Sequence, residues 1–84
     1  MCAIAHTTWT MSEPTTTLER IAHTVREERR RQQMDQRTLA LVANVAVRSV
    51  SRIENAQATV RLDVLLRVIS ALGLRLDVQP PGPA

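Results

Sequence analysis

Apolar side chains recur along most of this chain at helical spacing, and only near the C-terminus at the spacing of a strand. Leu18, Ile21, Ala22 and Val25 share one helical face, with the hydroxyls of Thr15, Thr16 and Thr17 as N-cap candidates and Glu19 as an early acid. This spacing predicts a first helix over about residues 18–32. Asp35 can cap a second helix over Gln36–Ala43, which turns Leu39, Ala40 and either Val42 or Ala43 inward. Asn44 follows, one of the few non-glycine residues that tolerates the left-handed conformation needed to reverse the chain after a helix, and Val45 then plugs the core. The pattern resumes over Val47–Glu54, with Val50 and Ile53 on the inner side and Arg48, Ser49, Ser51 and Arg52 on the outer.

A polar connection over residues 55–61 leads to a fourth helix. Its apolar stripe is Leu62, Leu65, Leu66, Ile69 and Leu72, widened by Val64 and Val68, and Gly73 ends it. Leu74, Leu76 and Val78 then alternate with Arg75, Asp77 and Gln79, which predicts a short half-buried strand stopped by Pro80 and Pro81. A lone strand in a helical chain has an open edge. Pairing with the same segment of a second chain through Leu74, Leu76 and Val78 is expected, with folding back over its own core as the alternative. Residues 1–14 show no period and read as a flexible N-terminal tail, with docking of Trp9 and Met11 on the fold or a partner as the alternative. Residues 80–84 read as a Pro/Gly tail, leaving one domain over 15–79. A chain of 84 residues is near the lower limit for a self-sufficient core, so help from a partner chain is expected.

The composition narrows the chemistry. The single cysteine, Cys2, can form no intramolecular disulfide and has no nearby base to make it a nucleophile. His6 and His23 stand apart from any set of ligands at metal spacing, so neither a metal nor a cofactor is expected, and no catalytic constellation supports an enzyme. The first 17 residues lack a basic segment followed by an apolar run, and no later stretch escapes charge long enough to span a bilayer. A cytoplasmic protein without membrane partners is expected. Residues 15–61 hold nine arginines against five acids, whereas residues 62–84 balance two against two, so the positive field belongs to the first part. Every basic side chain is arginine. That suits planar, bidentate contacts to phosphate and guanine, and a GC-rich genome would produce the same bias. With no Phe or Tyr and only Trp9, stacking platforms for single strands are absent, which points any nucleic-acid binding to a duplex.

Two short helices joined by a three-residue turn let the second enter a major groove while the first crosses the phosphates, and the small Ala40 lets them approach closely. The string VREERRRQQMDQRTLALVANVAVRSVSRIENA resembles the lambda-repressor-like, xenobiotic-response-element class of helix-turn-helix domains, over about residues 18–74. That resemblance implies an all-α fold: a compact four- to five-helix DNA-binding domain, with the short C-terminal β-strand pairing across a dimer. It places Val25, Met34, Leu39, Ala40, Val45, Val50 and Ile53 in the core, Gln36 at a phosphate, and Val47, Arg48, Ser49 and Arg52 on the DNA-facing helix. It also pairs Arg29 with Glu54, in keeping with a bidentate arginine satisfying a glutamate held near the core. Gln33, Asn44 and Ala56 stand where the family commonly has glycine, and of these only Asn44 is an easy substitute.

Within the class, TVRLDVLLRVISALGLRLDV over Thr59–Val78 is most similar to HipB-type antitoxins, which implies a HipA-like serine/threonine kinase toxin as partner and repression of the shared operon. The competing readings are a stand-alone repressor of phage or plasmid type and a helical interaction module without DNA binding. A dimeric repressor calls for an operator that is an inverted repeat, with half-sites about one helical turn apart. On it, Arg48 is the candidate base contact, Arg52 a base or phosphate contact, and Arg37 a backbone contact, with Ser49 and Ser51 as further candidates.

Overall fold

A computed structural model describes residues 14–57 and 59–80. Among them are four helices: α1 (Pro14–Arg31), α2 (Gln36–Ala43), α3 (Val47–Glu54) and α4 (Leu62–Ala71). The middle two have the limits that the sequence predicts. The first starts earlier than expected, because Pro14, lacking an amide N–H, suits the first turn of a helix, where that donor goes unused. The threonines therefore lie inside α1 instead of capping it, and Pro14 belongs to α1 instead of to the proposed tail. Its remaining residues 1–13, with Trp9 and Met11, and residues 81–84 lie outside the described residues.

All four helices stop in the same way. A left-handed residue follows the last turn of each, with φ of 59° at Gln33, 59° at Asn44, 57° at Ala56 and 78° at Gly73. At each, two amides reach back to orphan carbonyls: Gln33 to Arg30 and Met34 to Arg29, Asn44 to Leu41 and Val45 to Ala40, Ala56 to Ile53 and Gln57 to Arg52, Gly73 to Ser70 and Leu74 to Ile69. This paired return is the Schellman motif. At the start of α2, Asp35 caps as predicted, its carboxylate accepting from the Thr38 N–H at 2.7 Å.

The core gathers Val25 of α1, Leu39, Ala40 and Ala43 of α2, Val50 and Ile53 of α3, and Val68, Ile69 and Leu72 of α4 and its cap. Met34 and Val45 pack against its margin from the two loops. Of the alternatives in α2, Ala43 faces in and Val42 out. The stripe expected of α4 is narrower than its leucines suggest. Leu65, Val68, Ile69 and Leu72 span one arc, while Leu66 falls about 110° from its centre and is exposed, as is Leu62 in the first turn.

The strand expected over residues 74–79 is not formed in the single chain; no strand occurs among the described residues. A strand is defined by a ladder, and this helical chain offers the segment no edge to pair with. Leu74 packs on the core, but Val78 is 91% exposed. No helix among the described residues is long and apolar enough to cross a membrane.

Candidate nucleic-acid interface

Ala40 of α2 is buried in the core, and its carbonyl accepts from the Val45 N–H at 3.0 Å, which ties the turn to the helix before it. At the far end of α3, the helix is tied to its neighbours through Glu54. Its side chain is 4% exposed, and Arg29 from α1, itself 13% exposed, grips the carboxylate with one edge of its guanidinium: Nε donates to Oε2 at 2.7 Å and Nη2 to Oε1 at 3.1 Å. Nη1 of the same arginine donates to the Met34 carbonyl at 2.8 Å, which ties the α1–α2 loop to the pair. Gln36 adds a donor from α2, Nε2 to Glu54 Oε1 at 3.1 Å. Burial pushes the Glu54 carboxyl up, but the hydrogen bonds from Arg29 and Gln36, with the Arg29 and Arg26 charges, outweigh it and hold the group below the ordinary carboxylate range.

The Gln36 bond places the start of α2 beside the end of α3. Gln36 is half-buried, and one N–H of its amide is committed to Glu54. With Asp35 occupied by the third amide of α2, the backbone N–H groups of Gln36 and Arg37 have no partner among the described residues and stand at the positive end of the helix dipole. Arg37 is exposed beside them.

Outward from α3 stand Arg48 and Arg52, both exposed and without a hydrogen bond or ion pair to any other described residue. Val47 is exposed at the first position of the helix, and Ser49 and Ser51 are half-buried along its flank, the Ser51 hydroxyl accepting a long 3.4 Å contact from the Asn55 amide. Leu74, Leu76 and Val78 lie elsewhere. An open groove of about 430 Å³ runs between α1 and residues 74–77, floored by Ile21, Val25, Ile69 and Leu74 and rimmed by Arg20, Arg75 and Asp77. Among the described residues, no cluster of His, Cys, Asp and Glu could hold a metal.

Two polar contacts escape a reading by sequence. Arg26 Nη2 donates to the Glu54 carbonyl at 2.7 Å, and Gln32 Nε2 donates to the Leu72 carbonyl at 2.9 Å, joining the ends of α1 and α4. Arg26 sits in the charged run of α1 and Gln32 just past its end, where a solvated face is the ordinary expectation and Arg31 does no more than pair with Glu28 on the surface. The one available signal is the spacing of Arg26 one turn before Arg29, on the same helical face.

No curated protein matched the chain. The pattern of a family described as Helix-turn-helix matches residues 25–79, more than half of the sequence and all of α2, α3 and α4. With that match and this helix pair, the chain belongs to the helix-turn-helix family in its lambda-repressor-like form, a family of DNA-binding transcription regulators.

Proposed function

We propose that this protein is a sequence-specific repressor that binds duplex DNA with the outer face of α3. The observation that carries the reading is the contrast across that helix: the inner polar groups are held by partners, while Arg48 and Arg52 project from the other side with none among the described residues. In this reading Arg48 donates to a base, most readily the O6 and N7 of guanine, and Arg52 to a base or phosphate. Val47, Ser49 and Ser51 line the same approach. Gln36 and Arg37 bind the backbone. The open amides at the start of α2 receive a phosphate oxygen, and the Gln36 amide has a second N–H for the same phosphate while keeping its bond to Glu54.

Two copies joined along residues 74–79 would carry two recognition helices to an inverted repeat. The absence of helix and strand from this segment and the exposure of Val78 support this pairing, which would give Leu74, Leu76 and Val78 a ladder. The resemblance of Thr59–Val78 to HipB-type antitoxins adds a HipA-like kinase as the proposed partner; copurification with the product of the adjacent gene tests that, and a stand-alone repressor brings none.

The test of DNA reading is fluorescence anisotropy on a duplex from the protein's own upstream region against a scrambled duplex, over a salt series. A preference that persists as salt rises is expected. Equal binding to both duplexes that vanishes with salt would reduce the interaction to phosphate attraction and favour an interaction module instead.

A further inference from the structure

A helix as short as α3 holds its direction poorly unless its ends are tied, and its two ends are tied unequally. The N-cap, Ala46, has no side chain able to accept from the first turn. At the other end, the last four carbonyls of a helix have no partner within it. Here Ser51 O accepts from the Asn55 N–H, Arg52 O from Gln57 and Ile53 O from Ala56, all by backbone. The fourth, Glu54 O, is reached from another helix, by Arg26 Nη2 at 2.7 Å.

We infer that Arg26 is a positioning residue for DNA recognition: by holding the Glu54 carbonyl it fixes the end of α3, and through it the direction in which Arg48 and Arg52 meet a duplex. This rests on the reading of α3 as the DNA-facing helix. The bond is well placed for the task. Arg29 and Gln36 grip the Glu54 side chain, which leaves the main chain free to rotate about the side-chain torsions, whereas Arg26 grips the main chain itself. A carboxylate and a carbonyl of one residue, held by two arginines a turn apart on α1, define an orientation that either contact alone does not. The positive charge of Arg26 also sits at the negative end of the α3 dipole, which strengthens the bond.

The test is Arg26→Gln in the full chain, with two readouts. The first is affinity for the duplex that the native chain enriches most from a randomised pool, relative to a scrambled duplex, across a salt series. The ratio is expected to fall about tenfold, the scale of one misaligned base contact, with the salt slope unchanged. A slope reduced by about one with the ratio preserved would make Arg26 a phosphate contact and overturn the proposal. The second is amide hydrogen exchange on the free chain, where α3 should lose more protection than α2. Equal loss in both helices, or none, would overturn it even if the native chain enriched no duplex; that last result by itself would sink the reading of α3 as a sequence reader. Should Arg26→Gln not fold, Arg26→Lys, which retains charge and one reach of donor, takes its place under the same two readouts.

Discussion

At its inner end α3 meets donors from Arg26, Arg29 and Gln36, all converging on Glu54, while on its outer face Arg48 and Arg52 meet none among the described residues. The same side-chain chemistry is used in opposite ways. A guanidinium whose donors are filled within the chain fixes structure and has little left for a ligand; one with its donors open contributes little to folding and is available to bind. Arginine on this helix pair therefore cannot be read by type. Its partners decide.

The sharpest way to break the comparison is at Glu54. Glu54→Ala strips the partner from a largely buried Arg29 and should cost about 3 kcal/mol or somewhat more, a large share of the stability of so small a domain. Urea unfolding reads this directly. A loss under 1 kcal/mol would show that the pair is no structural anchor.

Acid attacks the same point less completely. Glu54 has a folded pKa below its unfolded one, because the Arg29 and Gln36 hydrogen bonds overcome the upward push of burial. Asp35 is lowered as well, first by the hydrogen bond from the Thr38 backbone. For such groups the unfolded state binds more protons as pH falls. Their stabilisation is full above the ordinary carboxylate pKa and is lost as pH drops through the folded values. The urea midpoint should therefore decline below about pH 5, and Glu54→Gln should flatten that decline. An unchanged pH profile in Glu54→Gln would assign the acid sensitivity elsewhere.

Arg48→Ala probes the other side. It should change stability by no more than about 0.5 kcal/mol, as an exposed substitution, yet remove roughly 1–3 kcal/mol of discrimination between specific and scrambled duplex. Equal loss of affinity on every duplex would make Arg48 a phosphate contact instead of a base contact.

How much of this is legible in the sequence follows the range of the interactions. α2 and α3 could be bounded from sequence because their signals are local: Asp35 before α2, Asn44 after it, and an inner face of Leu39, Ala40, Val50 and Ile53. α1 could not, since a threonine run reads as a cap until it is known that Pro14 already starts the helix. The alternation over residues 74–79 was misleading for another reason: period two states which side chains could face a core, but a ladder needs a second strand, which no single-chain pattern contains. At the candidate site, exposed Arg48 and Arg52 follow from helical phase. The contact of Arg26 joins residues 28 apart through a main-chain carbonyl, and no residue type advertises that.

The smallest expected effects lie at the four helix ends, where one motif is built on four different residues. Gly73 is the permissive case, and a Cβ there would meet nothing within 4 Å, so Gly73→Ala isolates the backbone cost of the left-handed conformation, about 1 kcal/mol. Ala56 already bears that cost beside Glu54, with no polar side chain to offset it. Ala56→Gly should then stabilise, by less than the Gly73→Ala loss, because glycine also gives the unfolded chain more freedom: about 0.5 kcal/mol. Gln33→Gly should gain similarly, and Asn44→Gly only a few tenths of a kcal/mol, since asparagine tolerates the conformation. Thermal melts of the four variants give the ranking. If Ala56→Gly destabilises while Gly73→Ala behaves as expected, the left-handed alanine is held by contacts of its own, and the end of α3 is more rigidly built than its backbone alone requires.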